Sequence, residues 1–136
     1  MTEATFPITG DPDDDALLLD DPFALLLGML LDQQVPMEWA FRSPSRLRER
    51  MEAAEPGSFS PAGLAALSED RAVELFSEKP ALHRYPKSMG KRAHAVAEML
   101  VDEYDGVASA VWTTAADGSE LYRRLRALPA LLQLLL

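Results

Sequence analysis

The hydrophobic positions along the chain recur at helical spacing, and most of the segments that they form begin at a proline. Proline fits the first turn of a helix, because the amide hydrogen that it lacks would have no partner there, and a preceding Asp or Ser caps the remaining amides. Only residues 106–114 are enriched in β-branched residues, and they lack the alternation of a strand. The pattern predicts an all-α fold, a compact multi-helix bundle, with helix starts at Asp21-Pro22, Val35-Pro36, Ser43-Pro44, Ser60-Pro61 and Tyr85-Pro86.

The predicted helices differ in how clearly their apolar faces are marked. From Pro86 to Tyr104 apolar residues recur at three- and four-residue steps, and Asp105-Gly106 supplies a turn that ends the helix. Residues 22–34 are apolar on nearly every side, which is typical of the central helix of a bundle. Further helices are predicted after Pro36 and Pro44, over 60–66, over 69–77 with Ser68 as cap, and from about Asp117 or Ser119 to an interruption at Pro129.

The net charge of −9 is unevenly distributed along the 136 residues. Seven of the 22 acidic residues lie in residues 1–21, which contain no base, so 15 acids face 13 bases in residues 22–136. A run such as TGDPDDD buries too little apolar area to offset its ordering entropy. We therefore expect residues 1–20 to form an acidic, flexible tail and residues 21–136 a single helical domain. The run has no glycine at the sixth position of a calcium loop and no terminal glutamate, and we expect no metal there.

Composition restricts the compartment and the kinds of site. The chain contains no cysteine, which excludes disulfides and cysteine-bound clusters and fits a reducing cytoplasm. The longest apolar run, residues 23–31, is about half the length of a membrane span, and no positively charged leader precedes it. No phosphate-binding, dinucleotide or metalloprotease fingerprint is present. We expect a cytoplasmic protein with no membrane partner and no cofactor.

Two short stretches carry the candidate chemistry. The apolar helix ends in LDQQVP, where Gln33 and Gln34 either reach into a groove or simply cap and solvate the helix end. The second stretch, residues 83–92, clusters four bases without an acid at the start of the long helix, where free amides also favour phosphate. This cluster is either an anion-binding spot or an ordinary solvated face; its bases are Arg84, Lys87, Lys91 and Arg92. We expect His94 to be a surface or half-buried helical residue rather than a catalytic base.

Three segments, in this order, resemble the helix-hairpin-helix (HhH-GPD) DNA glycosylase superfamily. Residues 22–41, PFALLLGMLLDQQVPMEWAF, are similar to its opening helices, in which an apolar helix ends in a Gln-Gln or Ala-Gln step. Residues 85–106, YPKSMGKRAHAVAEMLVDEYDG, are similar to its next signature, a basic helix that ends in an acidic-aromatic-Gly turn. Residues 120–129, ELYRRLRALP, resemble the helix that leads into the hairpin. The resemblance covers about residues 22–129.

The resemblance implies a function in base-excision repair, with helices around a cleft that binds double-stranded DNA containing a damaged base. In that family a residue at the glutamine turn fills the gap left by a flipped nucleotide. By position this residue is Gln34, with Gln33 beside it. Lys91 and Arg92 match the basic positions of the second motif, which implies proximity to phosphate or a structural role.

The match ends where the hairpin would begin. Leu128 and Pro129 fit, but Ala130 replaces the first glycine and Leu132 stands at about the place of the second. Alanine and leucine carry a steric penalty at the positive φ that such a hairpin needs. The family's catalytic Asp and lyase Lys lie beyond this point, and the sequence ends at Leu136. The resemblance thus implies DNA binding but identifies no catalytic residue.

Three functional hypotheses follow. The first is a DNA-glycosylase-like repair protein that binds damaged DNA. The second is a non-enzymatic helical interaction module on the same scaffold. The apolar end "ALLQLLL" of such a module packs onto helix 22–34 or pairs with a second copy to form a homo-oligomer. The third is an acidic helical protein that mimics or competes with DNA.

Overall fold

A computed structural model describes residues 9–128, which form eight helices and no strand. The all-α prediction is confirmed. Within this part of the chain no helix is both long and apolar enough to cross a membrane. The helices are α1 (Pro12–Asp20), α2 (Pro22–Leu31), α3 (Met37–Ala54), α4 (Pro61–Ala66), α5 (Glu69–Ser77), α6 (Pro86–Tyr104), α7 (Ala110–Thr113) and α8 (Gly118–Ala127).

Local capping explains most helix starts. The side chain of Asp21 accepts a hydrogen bond from the Phe23 amide (2.9 Å) at the start of α2, and Ser60 caps α4 in the same way. The start predicted at Pro44 is wrong, because α3 runs through that proline. Ala40, Pro44 and Leu47 lie on one buried face of α3, and the packing of that face keeps the helix continuous despite the missing amide.

The prediction of a flexible acidic tail over residues 1–20 is wrong for residues 12–20, which form helix α1. The Asp11 carboxylate accepts hydrogen bonds from the first-turn amides, and the acids that follow lie at the positive end of the helix dipole. Asp15 Oδ1 accepts hydrogen bonds from both the amide and the hydroxyl of Thr9, each at 2.8 Å. Leu18 is buried. Residues 1–8 lie outside the described part of the chain.

The core surrounds α2, which ends at Leu31 rather than at the predicted residue 34. Leu26, Leu27 and Leu30 are fully buried between α1, α3 and α6. Helix α6 packs on its other side against α4 and α5, and it has the predicted bounds. Asp105 and Gly106, both with positive φ, end it as expected. Leu128 joins the same core, whereas the predicted packing of residues 129–136 concerns residues outside those described.

Candidate nucleic-acid interface

The chain reverses direction after α2 in a turn formed by residues 32–35, called here the glutamine turn. Gln33 is buried, and its side-chain amide donates a hydrogen bond to the Leu30 carbonyl at 2.7 Å. Gln34 is exposed and adopts a left-handed conformation with φ of 61°, which residues other than glycine, asparagine and aspartate rarely adopt. The two glutamines therefore differ: Gln33 caps the helix end, and Gln34 is presented to solvent.

His83 links the glutamine turn to the start of α6. Its Nε2 lies 3.0 Å from both the Leu31 and the Gln33 carbonyl oxygens, and its Nδ1 accepts a hydrogen bond from the Tyr85 amide at 3.0 Å. Because Nδ1 accepts, the proton must be on Nε2 and the imidazole is neutral. Burial is the main cause that lowers the pKa of His83, which further favours this form. The imidazole thus holds three backbone groups in a fixed arrangement.

An aromatic row extends from this imidazole to the surface. The Trp39 ring stacks beside His83 with centroids 6.3 Å apart, and the Tyr85 ring lies 6.0 Å from His83 on a tilted plane. Tyr85 is 47% exposed, so part of its ring is accessible to a ligand. Exposed aromatic rings offer surfaces on which nucleic-acid bases stack.

Three of the six predicted DNA-binding residues line one surface pocket of about 260 Å³, called here the interface pocket. The guanidinium of Arg92 donates a hydrogen bond to the side-chain oxygen of Gln33 at 3.3 Å, which joins α6 to the glutamine turn. At the start of α6, Tyr85 provides no side-chain cap for the first-turn amides, so they remain oriented for an anion. The pocket is lined by Gln33, Gln34, Tyr85, Ser88, Met89 and Arg92.

The other three predicted residues, Arg84, Lys87 and Lys91, lie outside that pocket and are exposed. None of them forms an ion pair with another residue of the described chain. Arg84 is close enough to His83 for its charge to contribute, with Arg92, to the lowered pKa of that imidazole. Lys87 and Lys91 stand one turn apart on α6. The start of α6 therefore has a positive surface.

The second histidine, His94, has a structural role. His94 is more buried than expected, and its Nε2 lies 2.7 Å from the Leu67 carbonyl, so it fixes the α4–α5 connection against α6. Sequence reasoning missed His83, Trp39 and Tyr85 as parts of the site. His83 and Tyr85 lie within the basic stretch of residues 83–92. An aromatic residue next to clustered bases is the sequence signal that could have indicated their part in the site. Residues 9–128 contain no cluster of His, Asp and Glu able to hold a metal ion.

No protein-family model, curated protein or solved structure matches this chain.

Proposed function

We propose that this chain is a DNA-glycosylase-like base-excision repair protein that binds double-stranded DNA at damaged bases. The glutamine turn and the basic start of α6 form the contact surface. The observation that carries the proposal is the position of Gln34, which is exposed, held in a left-handed conformation and adjacent to the interface pocket. The resemblance of residues 22–129 to the HhH-GPD superfamily supports the same assignment of this residue.

An exposed side chain on a fixed backbone suits recognition of a gap in a base stack. Extruding a nucleotide costs a few kcal/mol, and the cost is lowest for damaged or mismatched bases. A side chain that fills the gap recovers part of this cost, and the amide of Gln34 can donate to and accept from the unpaired base opposite. The backbone of the turn is already held by His83 and Gln33, so little ordering entropy is lost on binding.

Electrostatics accounts for affinity rather than for lesion preference. Arg84, Lys87 and Lys91 are exposed and unpaired within residues 9–128, and they lie at a helix N-terminus. Each phosphate that such a base neutralises releases counterions, so affinity falls with salt. The acidic residues that dominate the net charge are concentrated before residue 22, away from these bases in sequence.

The proposal assigns binding and no catalytic group. None of the described residues lining the interface pocket carries a carboxylate that would act as a general base or stabilise a sugar cation. Hydrolysis of the glycosidic bond is therefore tested separately. The chain is incubated with duplexes that contain alkylated, oxidised or deaminated bases, and the products are assayed for abasic sites.

Binding is measured by fluorescence anisotropy with intact and lesion-containing duplexes between 50 and 200 mM NaCl. We expect Lys91→Ala to lower the slope of log K against log[salt] by about 1, whereas Arg123→Ala, an exposed base on α8, leaves it unchanged. Gln34→Ala should reduce the preference for the damaged duplex and leave the slope unchanged. An absence of salt-dependent binding to any duplex would refute the proposal and favour the interaction-module hypothesis.

A further inference from the structure

A second concave surface lies between α3 and the segment that precedes α6, and it is called here the α3 cleft. It has a volume of about 180 Å³, room for a phosphate group, and its lining contains two guanidinium groups and no carboxylate. Trp39, Arg42, Ser43 and Arg46 share one face of α3 because they are spaced by three or four residues. The opposite wall is formed by Pro80, Ala81 and Leu82.

Hydrogen bonds fix the two walls of the α3 cleft against each other. The Ser43 hydroxyl oxygen lies 2.6 Å from the Leu82 carbonyl. The guanidinium of Arg50, one turn beyond the cleft, donates to the carbonyls of Leu75 and Pro80, both at 2.6 Å. The cleft is therefore preorganised, and a ligand that enters it need not order its walls.

The positive charge in the α3 cleft is available to a ligand. Within residues 9–128 no hydrogen bond or ion pair engages the Arg46 guanidinium. Arg42 has one acidic neighbour, Asp14, whose carboxylate oxygen lies 3.8 Å from Arg42 Nε, and the Arg42 side chain remains 43% exposed. In the adjacent pocket Arg50 is instead paired with Glu78. Arg46 also borders that adjacent pocket, but it is the guanidinium of the α3 cleft that no carboxylate of residues 9–128 pairs with.

The α3 cleft lies close to the interface pocket, because the buried His83 ring separates Trp39 from Tyr85 and the centroids of those two rings are at most about 12 Å apart. Trp39 lines the cleft, its ring lies 6.3 Å from His83, and His83 lies 6.0 Å from Tyr85, which lines the interface pocket. One strand of duplex DNA carries a phosphate about every 3.4 Å of helix axis. A few consecutive nucleotides of one DNA strand can therefore reach from the interface pocket to the α3 cleft.

From this arrangement we propose that the α3 cleft binds a backbone phosphate of the DNA strand that contacts the glutamine turn. Arg42 and Arg46 are the donors. This inference rests on the proposed function, and it adds a second point of attachment a few nucleotides away from the recognised base. A phosphate contact carries no sequence information, so the cleft sets the position of the duplex and contributes equally on damaged and intact DNA.

The test compares two variants of one helix, Arg46→Ala and Arg48→Ala. Both remove one positive charge from α3, but Arg48 is exposed and does not line the cleft. With the full chain and the duplexes described above, we expect Arg46→Ala to lower the salt slope by about 1 on damaged and intact DNA alike. Arg48→Ala should lower the slope by less than half as much. The melting temperatures of both variants should equal that of the wild type, since Arg46 has no partner in residues 9–128.

The double variant Arg42→Ala/Arg46→Ala should lower the slope by more than Arg46→Ala alone but by less than about 2, because Asp14 already offsets part of the Arg42 charge. Charge reversal at position 46 should weaken binding more than reversal at position 48. Equal slopes for Arg46→Ala and Arg48→Ala overturn the inference. If Lys91→Ala still lowers the slope in that case, the proposed function stands and only the α3 cleft is excluded. If the wild-type chain shows no salt-dependent DNA binding, both proposals fail.

Discussion

The substitution His83→Phe tests whether the imidazole holds the glutamine turn in place. Phenylalanine retains a planar ring beside Trp39 but removes every hydrogen bond of the imidazole. The Leu31 and Gln33 carbonyls then lose the shared Nε2 donor, and the Tyr85 amide loses its acceptor. His83 is only 1% exposed, so water does not readily replace the imidazole.

The cost follows from the hydrogen bonds that these backbone groups lose. A buried polar group that loses its hydrogen bond costs about 1–3 kcal/mol. The Leu31 carbonyl keeps the Gln33 amide as a donor at 2.7 Å, so the cost falls mainly on the Gln33 carbonyl and on the Tyr85 amide, which lies at a helix start that solvent can approach. We therefore expect His83→Phe to lower the free energy of unfolding by about 2–4 kcal/mol. Domains of this size are stable by about 5–15 kcal/mol, so the variant still folds and its DNA binding can be measured.

The effect should also depend on pH, since burial lowers the pKa of His83 below its usual value of 6.5. As the pH falls below 6.5, the unfolded chain binds a proton that the folded chain resists. The stability contributed by neutral His83 is therefore complete above pH 6.5 and is lost progressively below it, by at most about 1.4 kcal/mol per pH unit. Urea unfolding followed by circular dichroism between pH 7.5 and 5.5 measures this difference between wild type and variant.

Two results would refute this reasoning. One is a loss of less than about 1 kcal/mol in His83→Phe at pH 7.5, which would mean that the three backbone groups do not depend on the imidazole. The other is an unchanged difference between wild type and variant across the pH range, which would mean that His83 does not resist protonation.

Three further predictions concern the supports of the site. Gly90→Ala should destabilise the fold by about 1–2 kcal/mol in urea unfolding, because the new methyl group would lie 2.9 Å from Val73 Cα. Ser43→Ala should cost about 1–2 kcal/mol in the same assay and weaken DNA binding, because the hydroxyl holds the Leu82 carbonyl. Gln34→Gly should stabilise the fold by about 0.5–1 kcal/mol by relieving the left-handed conformation, while the preference for damaged DNA measured by anisotropy decreases.

Matched controls distinguish these effects from general ones. Gly118→Ala adds a methyl group in open space and should not destabilise the fold, whereas a loss equal to that of Gly90→Ala would contradict close packing of α5 on α6. Ser45→Ala removes a hydroxyl from the same helix as Ser43, and an equal cost would exclude a specific role for the Leu82 contact. A Gln34→Gly variant that is less stable than wild type would show that the turn carries no strain.

The elements with local signals were predictable from the sequence. The bounds of α6 and the capped start of α5 at Ser68 depend on residues within one turn of each end, and these residues are read directly. At Pro44 the same proline signal failed, because the buried face of α3 is decided by packing against α2. Helix α1 was missed because an acidic composition conceals the contribution of Leu18 and the hydrogen bonds between Thr9 and Asp15.

The sequence predicted individual residues of the candidate site but not which of them lie together. The two glutamines and the clustered bases are marked by residue type and by their place at helix ends. Their convergence depends on contacts between distant segments: Arg92 bonds Gln33 across 59 residues, and His83 contacts Leu31 across 52. The hydrophobic periodicity of a segment carries no information about contacts between segments that are distant in sequence. A buried histidine between two helix ends is recognisable only when its acceptors and donor are seen together.

The acidic α1 packs against α3, the helix that carries one wall of the proposed phosphate site. Arg42 has Asp14 of α1 on one side and lines the α3 cleft on the other. A phosphate in the cleft would lie close to this helix, so the Asp14 carboxylate offsets part of the attraction of Arg42 and leaves Arg46 as the stronger donor. The bases at the start of α6 attract the DNA backbone as well. Residues 1–21 carry seven of the nine units of net negative charge, so the proposed contact residues lie in a part of the chain that is close to neutral, and the net charge of −9 is a poor guide to the potential around them.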